Sequence, residues 1–164
     1  MEGRYSADGY YMHNGMRGEQ SGELEIFPDG KLIGKIMDTD DNRKEMEKLV
    51  LGVCLDESRR ITFLKIAPGL RRGNDIMPVM WDLRTTNPEK SVYTGHFGFL
   101  GDDFPLLDEI EKRLYFGVDL GNLRDISPNT LRTVYFNQGI LERLEVFARE
   151  RGWGGELVLS PKSS

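Results

Sequence analysis

The chain has 164 residues with 38% hydrophobic and 30% charged side chains, enough apolar material for the core of one ordinary domain, which excludes global disorder. A net charge of −5 argues against nonspecific nucleic-acid binding, and one cysteine can form neither an intramolecular disulfide nor a cysteine-rich zinc site. The longest apolar run, Leu49 to Leu55, falls far short of the ~20 residues of a membrane-spanning helix, and residues 1–6 lack a leader pattern, so a cytoplasmic protein with no membrane partner and no cofactor is expected.

The first hundred residues read as strands. Tyr5 to His13 is the weakest candidate. Glu23-Leu24-Glu25-Ile26-Phe27 alternates acid and apolar, the period of a half-buried strand. Pro28-Asp29-Gly30 is a turn triplet, and Lys31 to Met37 returns as the second arm of a hairpin. Residues 41–48 stay open, because Asn42 and Glu45 are also spaced as a capping box for a short helix. Leu49 to Leu55 and Ile61 to Ile66 form the next pair of strands, and Pro68-Gly69 ends the second. Met77 to Leu83 follows, with Pro78 suggesting an edge or a bulge, and Asn87-Pro88 makes a turn. Ser91 to Phe99 is rich in β-formers, and Tyr93, Phe97 and Phe99 share one parity.

After Gly101 the pattern changes. Leu106, Leu107, Ile110 and Leu114 are spaced for a helix over 105–114. A second helix over 128–151 should start at Ser127 as N-cap with Pro128 behind it, and stop at Gly152. Its stripes are Val134, Leu141 and Ala148, beside Phe136, Ile140, Leu144 and Phe147. Residues 131–136 are also readable as a strand, and Glu156 to Leu159 as a final short one.

The expectation is a mainly β, α+β single domain spanning 1–164. It has an antiparallel up-and-down meander over 3–101 and a helical extension over 102–159 packed on it. The meander forms a closed or partly open barrel, whose eighth strand would come from Glu156–Leu159 or from 115–119. Thirteen of the 19 glycines fall in residues 1–101, and Gly34, Gly52 and Gly95 lie inside strands, where they permit strong curvature. The hairpin Ser21 to Asp38, with Ile61-Thr62-Phe63-Leu64-Lys65 and Val92-Tyr93-Thr94-Gly95, resembles the small lipocalin-like, or calycin, barrels over residues 3–100. Where those barrels carry Gly-x-Trp near the start, this chain has Gly3-Arg4-Tyr5. The resemblance implies a cavity for an apolar ligand.

Catalytic signatures are sparse. His13 and His96 are the only histidines, with no His-x-His or His-x₃-His metal pair. Cys54, between Val53 and Leu55, reads as a buried inert thiol. Asp38, Asp40 and Asn42 start like a calcium loop, but Arg43 occupies the place that needs glycine. The basic run Arg59, Arg60, Lys65, Arg71 and Arg72 reads as solvated loop ends flanking a strand. No P-loop and no nucleophile elbow occur.

Aromatics remain. Tyr10, Tyr11, Trp81, Tyr93, Phe97 and Phe99, with His96, are the candidate ligand-binding residues, and the expected function is noncatalytic binding of a small apolar or aromatic ligand. One alternative is a protein-interaction or homo-oligomerisation module using a sheet edge or helix 128–151. Another is an enzyme using His96 or His13 with a carboxylate such as Asp82.

Overall fold

The computed structural model describes residues 2–67, 78–87, 89, 91–99 and 125–162. The expected helix at 105–114, the alternative strand at 115–119, the Pro68-Gly69 turn, Arg71 and Arg72 lie outside the described residues.

Eight strands follow one another around a closed barrel: β1 (Gly3–His13), β2 (Met16–Ile26), β3 (Lys31–Thr39), β4 (Glu45–Leu55), β5 (Arg60–Ile66), β6 (Val79–Arg84), β7 (Val92–Phe99) and β8 (Gly154–Pro161). Every neighbouring pair is antiparallel. β8 closes the ring against β1, from Tyr5 opposite Pro161 to Met12 opposite Gly154, and against β7. The eighth strand is therefore the C-terminal one, longer than the sequence suggested. Closure leaves no free sheet edge among the described strands.

Local chemistry accounts for the turns. At the β2–β3 hairpin Phe27 N–H donates to Lys31 O and Gly30 N–H to Phe27 O, with Gly30 at φ 91°. Residues 41–48 do not form a helix. Asp40 Oδ1 accepts from Asn42 N and Lys44 N at 3.0 and 2.8 Å, so the carboxylate caps a turn and β4 begins at Glu45. Pro78 stands just ahead of β6, where its missing N–H costs no ladder bond. Gly52 is needed for close approach, since a Cβ there would lie 2.0 Å from Thr62 O on β5.

Two cores lie back to back. Inward side chains fill the lumen, among them Leu24, Ile36, Phe63, Trp81 and Tyr93. Outward side chains of β4, β5 and β6, including Leu51, Val53, Leu64, Ile66 and Met80, meet Leu131, Tyr135, Leu141 and Leu144 of the helical segment. β5 is consequently buried on both faces and shows no alternation.

The segment expected as one helix over 128–151 is divided. Ser127 Oγ accepts from Thr130 N, and Pro128–Thr130 runs into a π-helical turn, Leu131–Tyr135. At Phe136 the backbone breaks. Asn137 Oδ1 then accepts from Ile140 N and caps helix α1 (Gln138–Arg151), which Gly152 ends at φ 69°. Residues 131–136 are thus helical, not a strand. Arg132 donates to Asp29 O, fastening this segment to the β2–β3 turn. α1 spends its apolar face on the barrel, and Val146 is its one large hydrophobic more than half exposed.

No helix among the described residues is long and apolar enough to cross a membrane. The outside of the barrel carries Arg4–Glu25, Arg17–Glu19 and Lys35–Glu47 ion pairs. Charges of this kind are costly on a lipid-facing strand.

Phe63→Ala should cost about 3–5 kcal/mol in urea unfolding, because it opens a hole in the filled lumen. Val146→Ala should change stability by less than about 0.5 kcal/mol. Equal losses would contradict this division between core and surface.

Candidate functional site

Strand alternation decides which side chains reach the lumen. The lower end, carrying the turns at 27–30 and 56–59, is filled by Tyr5, Leu24, Ile26, Leu32, Ile61, Leu83 and Tyr93. Tyr93 Oη donates to Ser58 O at 2.7 Å and helps seal this end. Cys54 is buried here, and burial pushes its thiol up to about 11, which keeps it inert at neutral pH.

The upper end stays partly open. A cavity of about 220 Å³ lies there. One side is aromatic: Tyr11 and His13 from β1, Trp81 from β6, and Phe97 and Phe99 from β7. The other is charged: Asp38 from β3, Asp40 and Lys44 from the following turn, Lys48 from β4 and Lys65 from β5. Met46 and Val79 complete it.

Lys65 forms the floor. It is 1% exposed, so the reading of it as part of a solvated basic loop end is overturned by its inward position on a two-sided strand. Its ammonium donates to Gln20 Oε1 at 2.6 Å and to Asp38 Oδ1 at 2.7 Å, and stands 5.0 Å from the Trp81 ring centroid. Gln20 Nε2 passes the chain on to Tyr10 O and Glu156 O, at 3.1 and 3.2 Å. One polar crossbar therefore ties β5 to β3, β2, β1 and β8 through the middle of the lumen. Burial pushes Lys65 below the usual lysine range, and the Asp38 carboxylate opposes that shift. Asp38 is spent on this pair rather than on a calcium loop.

The aromatic side is mutually braced. The Phe97 ring lies 4.7 Å from Trp81 and is stacked on Trp153 at 5.9 Å. Trp153 follows α1 and anchors its indole N–H on Asn14 Oδ1 at 3.0 Å. His13 sits 4.8 Å from Trp153 and 5.3 Å from Phe99. Tyr11 lies across Gly18, where a Cβ would come within 1.9 Å of its ring. Burial pushes the Tyr11 hydroxyl up to about 12, aided by Asp38, Asp40 and Asp41, so it stays neutral.

Of the seven residues expected to bind ligand, Tyr11, Trp81, Phe97 and Phe99 come together at the cavity. Tyr93 shares their parity but lies at the sealed end. Tyr10 and His96 face outward and line a groove between α1 and β6–β8 instead. There the Arg17 guanidinium covers Tyr10 at 4.3 Å. Asp82 and His96 are register partners on β6 and β7. However, Arg60 holds both Asp82 oxygens, each at 2.7 Å, so that carboxylate serves as an ion-pair partner rather than as a base. His13 and His96 lie on opposite sides of the barrel wall. Among the described residues no three His, Cys, Asp or Glu side chains gather to hold a metal ion.

Sequence reading missed Lys48, Lys65, Asp38, Met46 and Trp153 as site residues. The available signal was Lys65 itself, a lysine that shares the parity of Ile61 and Phe63 in a strand buried on both faces. Comparison with protein-family models, characterised proteins and solved structures gives no match. The fold alone, a closed eight-stranded meander with a helix packed outside, is consistent with a calycin-like barrel.

Two outcomes are expected. Asp38→Asn keeps an oxygen that can accept from Lys65 but leaves the buried ammonium without its countercharge, and should cost about 3–5 kcal/mol in urea unfolding. Lys65→Met should cost less, since the Asp38 side chain is 19% exposed and can be hydrated. The reverse order would contradict the crossbar.

Burial also lowers the pKa of His13 below its ordinary 6.5. Its contribution to stability is full above that value and is lost as pH falls through the lower folded value. Between about pH 7.5 and pH 5 the wild type should lose more stability than His13→Phe. Parallel pH profiles would contradict this.

Proposed function

We propose that the protein binds a small aromatic or apolar ligand in the upper lumen, without catalysis, in the manner of a lipocalin-like barrel. The observation that carries this reading is the open space itself. The lower lumen is filled with side chains, yet about 220 Å³ remains above the Lys65 crossbar, faced by stacked rings. Pockets for drug-sized ligands measure roughly 300–1,000 Å³, so the occupant here is smaller than those ligands. Rings that hold one another in place lose little freedom on binding, which favours a flat ligand. Trp81, 2% exposed, is positioned to report on it.

Titration with small aromatic compounds should change tryptophan emission saturably with 1:1 stoichiometry. Val79→Phe places a ring at the cavity wall and should abolish the response while leaving the melting transition cooperative. Absence of saturable binding across the series, or an undiminished response in Val79→Phe, would overturn the reading.

A further inference from the structure

The charges around the cavity are unevenly committed. Two acids face it, and both are occupied: Asp38 by Lys65 at 2.7 Å, and Asp40 by the backbone N–H groups of Asn42 and Lys44. Three ammonium groups face it, and only that of Lys65 is paired. Lys48 makes no hydrogen bond or ion pair among the described residues although it is only 8% exposed. Lys44 is exposed at the rim and likewise has no ion-pair partner among them. The position of Lys48 follows from register. It lies opposite Ile36 on β3 and two residues before Val50, with inward parity, so its stem runs up the lumen wall between Met46 and Val50. A half-dehydrated ammonium facing an aromatic wall is a costly arrangement when empty. It is relieved by a partner carrying negative charge.

We infer that the ligand of the upper lumen is a small aromatic anion whose ring lies against Trp81 and Phe97 and whose carboxylate or phosphate oxygens accept a hydrogen bond from Lys48. This rests on the binding reading above and adds the chemical class. Burial weakens the hold of Lys48 on its own proton; the Asp38 carboxylate, already bonded to Lys65, opposes this only in part, and an anion beside Lys48 would restore that hold further. At about 220 Å³ the cavity is too small for a long chain, and its single unpaired interior cation among the described residues suits one anionic group. Lys44 at the rim adds attraction on approach rather than a fixed contact.

The test uses four probes sharing a phenyl ring on the full chain, followed by calorimetry and tryptophan emission: phenylacetate, phenyl phosphate, neutral phenylacetamide and cationic phenethylamine. At least one anion should bind roughly tenfold or more tightly than phenylacetamide, as expected for a hydrogen bond to a charged group in a partly dry site. The tighter of phenylacetate and phenyl phosphate identifies which oxygen group the site reads. Lys48→Met should remove the preference for anions while leaving phenylacetamide affinity within about twofold, which also shows that the variant is folded. Lys44→Met should leave most of the preference in place.

If phenylacetamide binds as tightly as both anions, or phenethylamine binds best, the assignment of charge falls and the binding reading survives. An anion preference that persists in Lys48→Met removes Lys48 from the role. If no probe binds saturably, this inference and the binding reading fall together.

Discussion

An ammonium group held in the middle of an apolar lumen constrains everything around it. Removing such a charge from water costs several kcal/mol, so the fold must supply partners at bonding distance. Asp38, Gln20 and the Trp81 face do so, and Gln20 is in turn held by two main-chain carbonyls. The side chains of β2, β3 and β5 are thereby fixed relative to one another across the interior, not only along the sheet. The crossbar also divides the barrel. Below it Phe63, Leu24, Ile36 and Tyr93 pack the lumen, while above it the walls stay apart.

The helical segment supports this arrangement from outside. It starts beside the β2–β3 turn through Arg132, covers the outer faces of β4 to β6, and delivers Trp153 to the upper rim. Each buried leucine of α1 contributes about 1.5–3 kcal/mol, and Leu141 and Leu144 are both fully covered. Because β5, with β4 from Val50 to Cys54, is buried on both faces, the strand that carries Lys65 is packed from inside and outside the barrel. The rim aromatics come from β1, β6 and β7, and Trp153, at the junction between α1 and β8, braces Phe97 and His13 among them.

Much of the barrel was legible in the sequence because its causes are local. Alternation at Leu24 and Ile26, the Asp29-Gly30 turn and the Ser127-Pro128 start each state their structure directly. The division of the site was less legible. Tyr10 and Tyr11 are adjacent, so strand parity allows only one of them inside, and only register decides which. Tyr93 and Phe97 share a face, but four residues at about 3.3 Å each put them some 13 Å apart, at opposite ends of the lumen. Lys65 was hidden because a strand buried on both faces loses the alternation that would mark its inward side. The break at Phe136 was hidden because the apolar stripes run through it at helical spacing. Asn137, a good N-cap, is where the second helix starts.

The most direct test of the crossbar is NMR of the lysine ammonium groups in uniformly ¹⁵N-labelled protein. A lysine paired and sealed in the lumen should give an ammonium signal in slow exchange with water, with contacts to the Trp81 ring and the Gln20 side chain, and this signal should vanish in Lys65→Met. If every lysine ammonium exchanges rapidly, or the protected one lacks contacts to Trp81, then Lys65 does not span the lumen, and the division into a packed lower half and an open upper half is wrong.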